Sequence, residues 1–225
     1  MMKPQHKTHE WLNGRLLEAI ALFNTSDDAC LLEDGKDCGS VGECAMTHRL
    51  AVHLERTLCK HGYPNKDAKL AIDCEYNRHL GGLKEQGVAA DLEKRVRKIK
   101  GHRLKEYPER EGWYFFSVFP DIIVHRRGDD ELNLLAIEVK RASNSLDYEL
   151  DNIKLHLFTA PNDGSGYGYA LGASVIALDT DEFGPRCLEI GRLFVDGQCR
   201  YRAPFLAREP ARLPFLKTPE CGFAL

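Results

Sequence analysis

Three charged residues near the ends of two apolar segments are the part of this sequence that could do chemistry. The stretch from Phe119 to Ser143 reads as two strands joined by a polar turn. Asp121 opens the first strand, and Glu138 and Lys140 lie near the end of the second. Burying charged groups costs free energy unless they pair with one another or bind a metal ion. The segment therefore predicts either a buried ion-pair cluster or a site for a divalent cation.

The polar turn GDDE predicts the register of the two strands, and with it the face on which each charged side chain lies. The expected pairs are Arg127 with Leu132, Val124 with Leu135, and Asp121 with Glu138. Directly opposed residues share a face of the sheet, with Cβ atoms about 5 Å apart. Lys140 lies two residues beyond Glu138 and is therefore expected on the same face.

The apolar residues around these charges indicate a central strand that is covered on both faces. Leu135, Ile137 and Val139 are expected on one face, and Leu134 and Ala136 on the other. Two buried carboxylates at this distance raise each other's pKa unless a cation lies between them. Lys140 could be that cation. A Mg²⁺ ion would be a better one, because it binds one or two carboxylates together with water and phosphate oxygens.

Hydrophobic periodicity and turn residues predict the elements that position these charges. Helices are expected over Trp11–Phe23 and from an N-cap at Ser40 to Gly62, and Ala68–His79 reads as a strand. After the hairpin, SLDYELDNIKLHLFTAP reads as a third helix and YGYALGASVIALD as a strand. The order helix, strand, strand, strand, helix, strand favours an α/β fold with a mixed central sheet flanked by helices.

The remaining segments are expected to add to this core. The segment after the first helix reads as a loop that could hold a short strand, and a short helix is expected near Ala89–Ile99. A C-terminal hairpin is expected to turn at Asp196-Gly197. The predicted division is an N-terminal helical extension at 1–39, a core at 40–180, and a hairpin and tail at 181–225 that pack on the core.

Composition describes an ordinary globular chain of 225 residues with 43% hydrophobic and 29% charged residues. The formal net charge of −3 argues against a protein that is basic all over, but it leaves room for a local basic groove. The sequence has no apolar run of membrane length and no secretory signal at its start, so a cytoplasmic location is expected. The eight cysteines are accordingly expected to be reduced thiols.

Pro120-Asp121, sixteen intervening residues and then Glu138-Val139-Lys140 resemble the signature of the PD-(D/E)xK nuclease superfamily. The predicted order of elements also resembles the restriction-endonuclease-like core, α-β-β-β-α-β. The resemblance implies hydrolysis of phosphodiester bonds by a metal-activated water, with Mg²⁺ or Mn²⁺ as cofactor. It implies that Asp121 and Glu138 bind the metal ion and that Lys140 orients or activates the attacking water.

Glu43 is the expected third carboxylate of the site. In many members of the superfamily a carboxylate on the first core helix completes the metal site, and Glu43 lies on the apolar stripe that faces the sheet. In the alternative interpretation, Glu43 serves only a capping box with Ser40.

Several further residues are candidates for contact with a nucleic acid. Tyr76, Arg78 and His79 could line a groove or contact a phosphate, although such residues more often form a solvated strand edge. Lys154 on the third helix could point into the cleft or be a surface lysine.

The clearest basic segment is Lys94–Lys105, which holds seven Lys or Arg residues in twelve positions. Lys98, Lys100 and Arg103 are its expected contacts with a phosphate backbone. A solvated helix face is the alternative interpretation.

The residues and this resemblance together predict a metal-dependent nuclease that acts on a nucleic acid, with DNA favoured. The resemblance further implies a bacterial or phage role in restriction, defence or repair. Many members of the superfamily dimerise, so the resemblance is compatible with a homodimer or a larger protein complex. The alternative is a non-catalytic subunit that keeps the fold and binds a nucleic acid or a protein partner. An enzyme of small phosphorylated substrates is disfavoured, since no glycine-rich phosphate loop precedes a helix.

Overall fold

A six-stranded sheet with helices on both faces forms the centre of the molecule. The computed structural model describes residues 5–32, 42–63, 70–75, 78–79, 82–83, 85–89, 105–106, 113–117, 119–128, 131–142, 148–161, 166–178 and 186–204. In this part of the chain, the predicted α/β fold with a mixed central sheet flanked by helices is confirmed.

The helices and strands are numbered in chain order. The helices are α1 (Gln5–Thr25), α2 (Glu43–Lys60) and α3 (Tyr148–Thr159), with a 3₁₀ helix at Asp27–Leu32. The strands are β1 (Leu70–Cys74), β2 (Arg78–His79), β3 (Gly82–Leu83), β4 (Glu85–Ala89), β5 (Lys105–Glu106), β6 (Trp113–Ser117), β7 (Ile122–Arg126), β8 (Asn133–Arg141), β9 (Leu171–Leu178), β10 (Cys187–Val195) and β11 (Gln198–Arg202).

The central sheet has the strand order β1-β7-β8-β9-β10-β11. Strands β8 and β9 are parallel, and the other neighbours pair antiparallel. Parallel neighbours need a crossover connection, and α3 provides it between β8 and β9. Two small sheets, β2-β3 and β4-β6-β5, lie between β1 and β7 in the sequence.

The central sheet is buried on both faces by different helices. Helices α1 and α2 pack on one face, against apolar residues such as Leu135, Ile137 and Val139 of β8. Helix α3 packs on the other face, where Ala136 of β8 and Ile123 of β7 contribute to a second cluster. Residues that alternate along β8 therefore point into different cores, as expected for a strand covered on both sides.

Helix α1 is part of the larger core. Its residues Leu12, Leu16 and Phe23 are fully buried in the same cluster as α2 and the sheet. At its C-terminal end, the side-chain amide of Asn24 donates to the carbonyl of Leu188 (2.9 Å) and its oxygen accepts from the Leu188 amide (2.7 Å). The helix is thus joined to the start of β10 by packing and by two hydrogen bonds.

Several predicted boundaries were wrong. Helix α2 begins at Glu43 with Gly42 as the N-cap residue, two positions after the predicted N-cap. The predicted strand to His79 is interrupted, because β1 ends at Cys74 and Glu75 has a left-handed φ of 50°. The segment Asp27–Leu32 is a 3₁₀ helix instead of a strand.

The polar region before the hairpin also differs from its prediction. Ala89 ends strand β4, where the sequence predicted the start of a helix. The rest of that predicted helix lies outside the described residues.

Within the described residues, no helix combines the length and apolar character that crossing a membrane requires.

The register of β7 and β8 agrees with the prediction at the site end and differs at the turn end. Val124 pairs with Leu135 as expected, and Ile122 pairs with Ile137. A bulge follows, so that the amide of Arg126 donates to the carbonyl of Leu132 (3.2 Å) and the predicted pairing of Arg127 with Leu132 is wrong.

Leu134 is the extra residue of β8 at the bulge. It packs in the core under α1 and α2, on the face of the sheet opposite to the one predicted for it.

The C-terminal hairpin turns at Asp196 and Gly197 as predicted. Their φ values of 50° and 67° are those of a tight hairpin turn, in which glycine is favoured.

Candidate functional site

Asp121 is held at the junction of three strands. It immediately precedes Ile122, which pairs with Ile137, so continuation of the register places Asp121 beside Glu138. Its Oδ2 accepts a hydrogen bond from the amide of Val139 (2.7 Å), and its carbonyl accepts one from the amide of Glu75 (3.1 Å). The residue is thereby attached both to β8 and to the end of β1.

Glu138 is the most buried charged group of the site, with 0% of the residue exposed. Its Oε2 accepts a hydrogen bond from Lys154 Nζ at 2.8 Å. Within the described part of the chain, its buried Oε1 has no hydrogen-bond partner. A buried carboxylate oxygen without a partner costs free energy, so this oxygen is the group that a cation would stabilise most.

Lys140 and Glu43 meet at the same end of the sheet. Lys140 Nζ donates to Glu43 Oε2 at 3.1 Å, and the Arg141 amide donates to Glu43 Oε1 at 3.3 Å. Helix α2 therefore brings Glu43 beside Lys140. Gly42 is the N-cap residue of α2, so Glu43 occupies the first helical position, whereas a capping box with Ser40 would need it at the third.

Helix α3 contributes two charged residues to the site. Lys154, with 12% of its side chain exposed, points at Glu138, so the alternative of a surface lysine is wrong. Asp151, with 3% of its side chain exposed, lies with Oδ1 at 3.0 Å from Lys154 Nζ and Oδ2 at 3.6 Å from Lys140 Nζ.

Sequence reasoning missed Asp151, although a signal for it exists. Asp151, Leu155 and Phe158 follow the spacing of one helical stripe, and the latter two residues are buried against the sheet. An acidic residue on an apolar stripe, three positions before Lys154, could have been recognised as part of a buried charge cluster.

The carboxylates of the site are strongly perturbed. Burial raises the pKa of Asp121 to about 6, although the hydrogen bond from Val139 and the nearby lysines lower it in part. Burial also raises the pKa of Glu138 well above its ordinary value, and the charges of Asp121 and Asp151 add to the effect. Ionisation of both carboxylates is therefore costly without a further cation.

The two lysines remain cationic. Burial would lower the pKa of Lys154, but Glu138 and Asp151 outweigh it and raise this pKa above its ordinary value. The same balance between burial and neighbouring carboxylates raises the pKa of Lys140. The site therefore keeps two ammonium groups beside its acidic residues at neutral pH.

The charges and the partnerless oxygen fit a single divalent cation. The site brings together four acidic side chains, on Asp121, Glu138, Asp151 and Glu43, and two lysines, so its acidic groups outnumber these basic groups by two. Among the described residues, no three His, Cys, Asp or Glu side chains form a complete metal-binding group. Mg²⁺ does not need one, because one or two carboxylates with water and phosphate oxygens suffice.

A second polar cluster on β1 and β7 was also missed. Asp73 accepts hydrogen bonds from Arg127 and from the buried His125 Nε2 (2.9 Å). Burial would raise the pKa of Asp73, but these two partners outweigh it and lower the pKa. The residues are 52 and 54 positions apart in the sequence, so their contact could not be read from local spacing.

The other predicted contacts with a nucleic acid remain predictions. Tyr76, Lys98, Lys100 and Arg103 lie outside the described residues. Arg78 and His79 form strand β2, which pairs with β3 in a two-stranded sheet.

Comparison of the chain with protein-family models, curated proteins and solved structures gives no match.

Proposed function

We propose that this protein is a metal-dependent nuclease that hydrolyses phosphodiester bonds, with DNA as the favoured substrate and Mg²⁺ or Mn²⁺ as cofactor. The observation that carries the proposal is the buried carboxylate of Glu138, whose Oε1 has no partner in the described part of the chain, beside Asp121 and two lysines. A structural ion-pair cluster gains little from an excess of buried carboxylates, whereas a cation site requires it.

The order of elements supports the restriction-endonuclease-like form of this proposal. Apart from the two small sheets inserted between β1 and β7, helix α2, strands β1, β7 and β8, helix α3 and strand β9 occur in the order of an α-β-β-β-α-β core. The charged residues lie at the ends of β7 and β8, where the PD-(D/E)xK resemblance places them. A fold hosts many functions, so the proposal depends on the site and uses the fold as analogy.

The residues of the site have distinct proposed roles. Asp121 and Glu138 would hold the ion, which would lower the pKa of the attacking water and neutralise charge on the phosphate. Lys140, kept cationic by the carboxylates around it, would orient the water and donate to a phosphate oxygen. Glu43 would hold Lys140 in place, or bind the ion as a third carboxylate.

One observation favours a second candidate function. Lys154 already bonds Glu138 and Lys140 already bonds Glu43, so the cluster contains ion pairs that a protein without catalysis could also use. A non-catalytic subunit that binds a nucleic acid or a protein partner would keep these pairs.

Cleavage assays separate the two functions. Supercoiled, linear and single-stranded DNA and RNA are incubated with the protein in Mg²⁺, Mn²⁺ or EDTA. The matched variants are Glu138→Ala, Lys140→Ala and, as control, Glu18→Gln, whose carboxylate pairs with Lys60 and His61 on α2 or just after it. EDTA should abolish cleavage, and each site variant should lower the rate at least about 100-fold.

The control variant should cleave at the wild-type rate. Cleavage that survives in both site variants would point to a contaminant or to another site. Binding of nucleic acid without cleavage in any metal would favour the non-catalytic subunit.

A further inference from the structure

We propose that Asp151 is a positioning residue that holds the ammonium groups of Lys140 and Lys154 in the site while Glu138 binds the metal ion. The inference deepens the proposed nuclease function and rests on it. Asp151 would act through the two lysines and would itself touch neither the metal ion nor the substrate.

The contacts of Lys154 give the first argument. Its Nζ lies between two carboxylates, 2.8 Å from Glu138 Oε2 and 3.0 Å from Asp151 Oδ1. A carboxylate that binds a divalent cation has less negative charge to offer an ammonium group. Asp151 would then be the acidic partner that keeps Lys154 beside the site.

The contacts of Lys140 give the second argument. Its Nζ lies 3.1 Å from Glu43 Oε2 and 3.6 Å from Asp151 Oδ2. Glu43 belongs to α2 and Asp151 to α3, and these helices pack on opposite faces of the sheet. The ammonium group is therefore held from both sides of the sheet end, and its position depends on both helices.

The location of Asp151 gives the third argument. Only 3% of the Asp151 side chain is exposed, so contact with water cannot compensate for the hydration that the carboxylate loses on folding. Its two oxygens have these lysine contacts but no hydrogen bond of good geometry within the described residues. A buried carboxylate that makes ion pairs without hydrogen bonds gains little net stability from its burial, which favours a role in orienting the lysines.

A double-mutant cycle tests this role. Asp151→Asn, Lys154→Met and the double variant are compared in cleavage rate, in KM and in calorimetric Mg²⁺ affinity. Asp151→Asn should lower kcat at least about tenfold through misplaced lysines, while KM and Mg²⁺ affinity stay within about threefold of the wild type. The double variant should cleave at least about fivefold faster than the product of the two single effects predicts.

Asp73→Asn is the matched control, because Asp73 is also a largely buried carboxylate with two basic partners. It should leave kcat within about threefold of the wild type. Single effects on kcat that simply multiply, or a loss equally large in the Asp73 variant, would overturn the inference.

Unfolding in urea without metal supplies a readout that does not depend on activity. The shifts of the unfolding midpoint for Asp151→Asn and Lys154→Met should not add in the double variant, because the two residues are partners. A wild type that neither cleaves nor binds metal would refute the proposed function. The inference would then be judged by the midpoints, and additive shifts would overturn it.

Discussion

At the scale of single residues, the ionised carboxylate of Asp121 lowers the stability of the folded protein. The carboxylate is fixed by the amide of Val139, yet burial raises its pKa to about 6. The folded protein therefore binds this proton more tightly than the unfolded chain does. The contribution of Asp121 to the free energy of unfolding is largest below pH 4 and is lost as the pH rises to about 6.

Asp121→Asn is expected to stabilise the protein at pH 8 in EDTA by about 1–3 kcal/mol, because a shift of one pKa unit corresponds to about 1.4 kcal/mol. The asparagine oxygen can still accept from the Val139 amide. The two proteins should differ little at pH 4, where the aspartate is largely protonated in the folded state. Urea unfolding at both pH values measures the difference.

Addition of Mg²⁺ at pH 8 should reverse the order, since the wild type gains binding energy that the variant lacks. An aspartate-to-asparagine change that destabilises the protein equally at pH 4 and pH 8 would contradict this prediction. So would an equal rise of the unfolding midpoint in both proteins on addition of Mg²⁺.

At the scale of elements, the close packing of α3 on β9 positions Lys154 and Asp151. Gly172 of β9 has no side chain, and a Cβ there would lie 2.9 Å from Thr159 Cγ2, 3.3 Å from Phe194 Cβ and 3.4 Å from Leu155 Cδ2. The shortest of these contacts, to Thr159, is with α3. A larger residue at this position would therefore push the helix, and the charged side chains on it, away from the sheet.

Gly172→Ala is expected to lower the free energy of unfolding by about 1–3 kcal/mol, as for other overpacked sites. It should also reduce cleavage, because α3 carries Lys154. Gly14→Ala is the matched control: its Cβ would meet nothing within 4 Å on α1, and it should stabilise the protein by about 0.5–1 kcal/mol. Urea unfolding and cleavage rates of both variants check the pair, and equal effects would contradict the packing argument.

Local sequence patterns predicted the three helices and the strands of the central sheet, apart from several of their ends, and the pairing near Val124, because strand alternation and turn residues act over short distances. They did not predict the bulge at Leu134, which depends on how the hairpin twists against its neighbours. They also did not predict the contact of Asp151 with Lys140, because these two side chains meet only when α3 packs on the sheet.

At the scale of the whole molecule, the two ends of the described chain are joined. Asn24 at the end of α1 bonds both backbone groups of Leu188 at the start of β10, across 164 residues. Apolar residues of α1 and β10 also belong to one core. The first helix therefore stabilises the last strands of the sheet.

Asn24→Ala is expected to lower the free energy of unfolding by about 2 kcal/mol, because it leaves two partly buried backbone groups of Leu188 without their partner. Thr25→Ala is the control, since the exposed Thr25 hydroxyl donates to carbonyls of its own helix. The control should change stability by less than about 0.5 kcal/mol. Urea unfolding would contradict the prediction if the two variants were equally stable.

The bulge in the β7–β8 hairpin has a consequence for engineering. It separates the pairing at the turn from the pairing of Ile122 with Ile137, which lies next to the charged cluster. A length change after the exposed Gly128 can be absorbed at Leu134 before it reaches the other end of the strands. This turn is therefore a suitable place to insert a peptide tag or a fluorescent reporter without displacing the acidic residues.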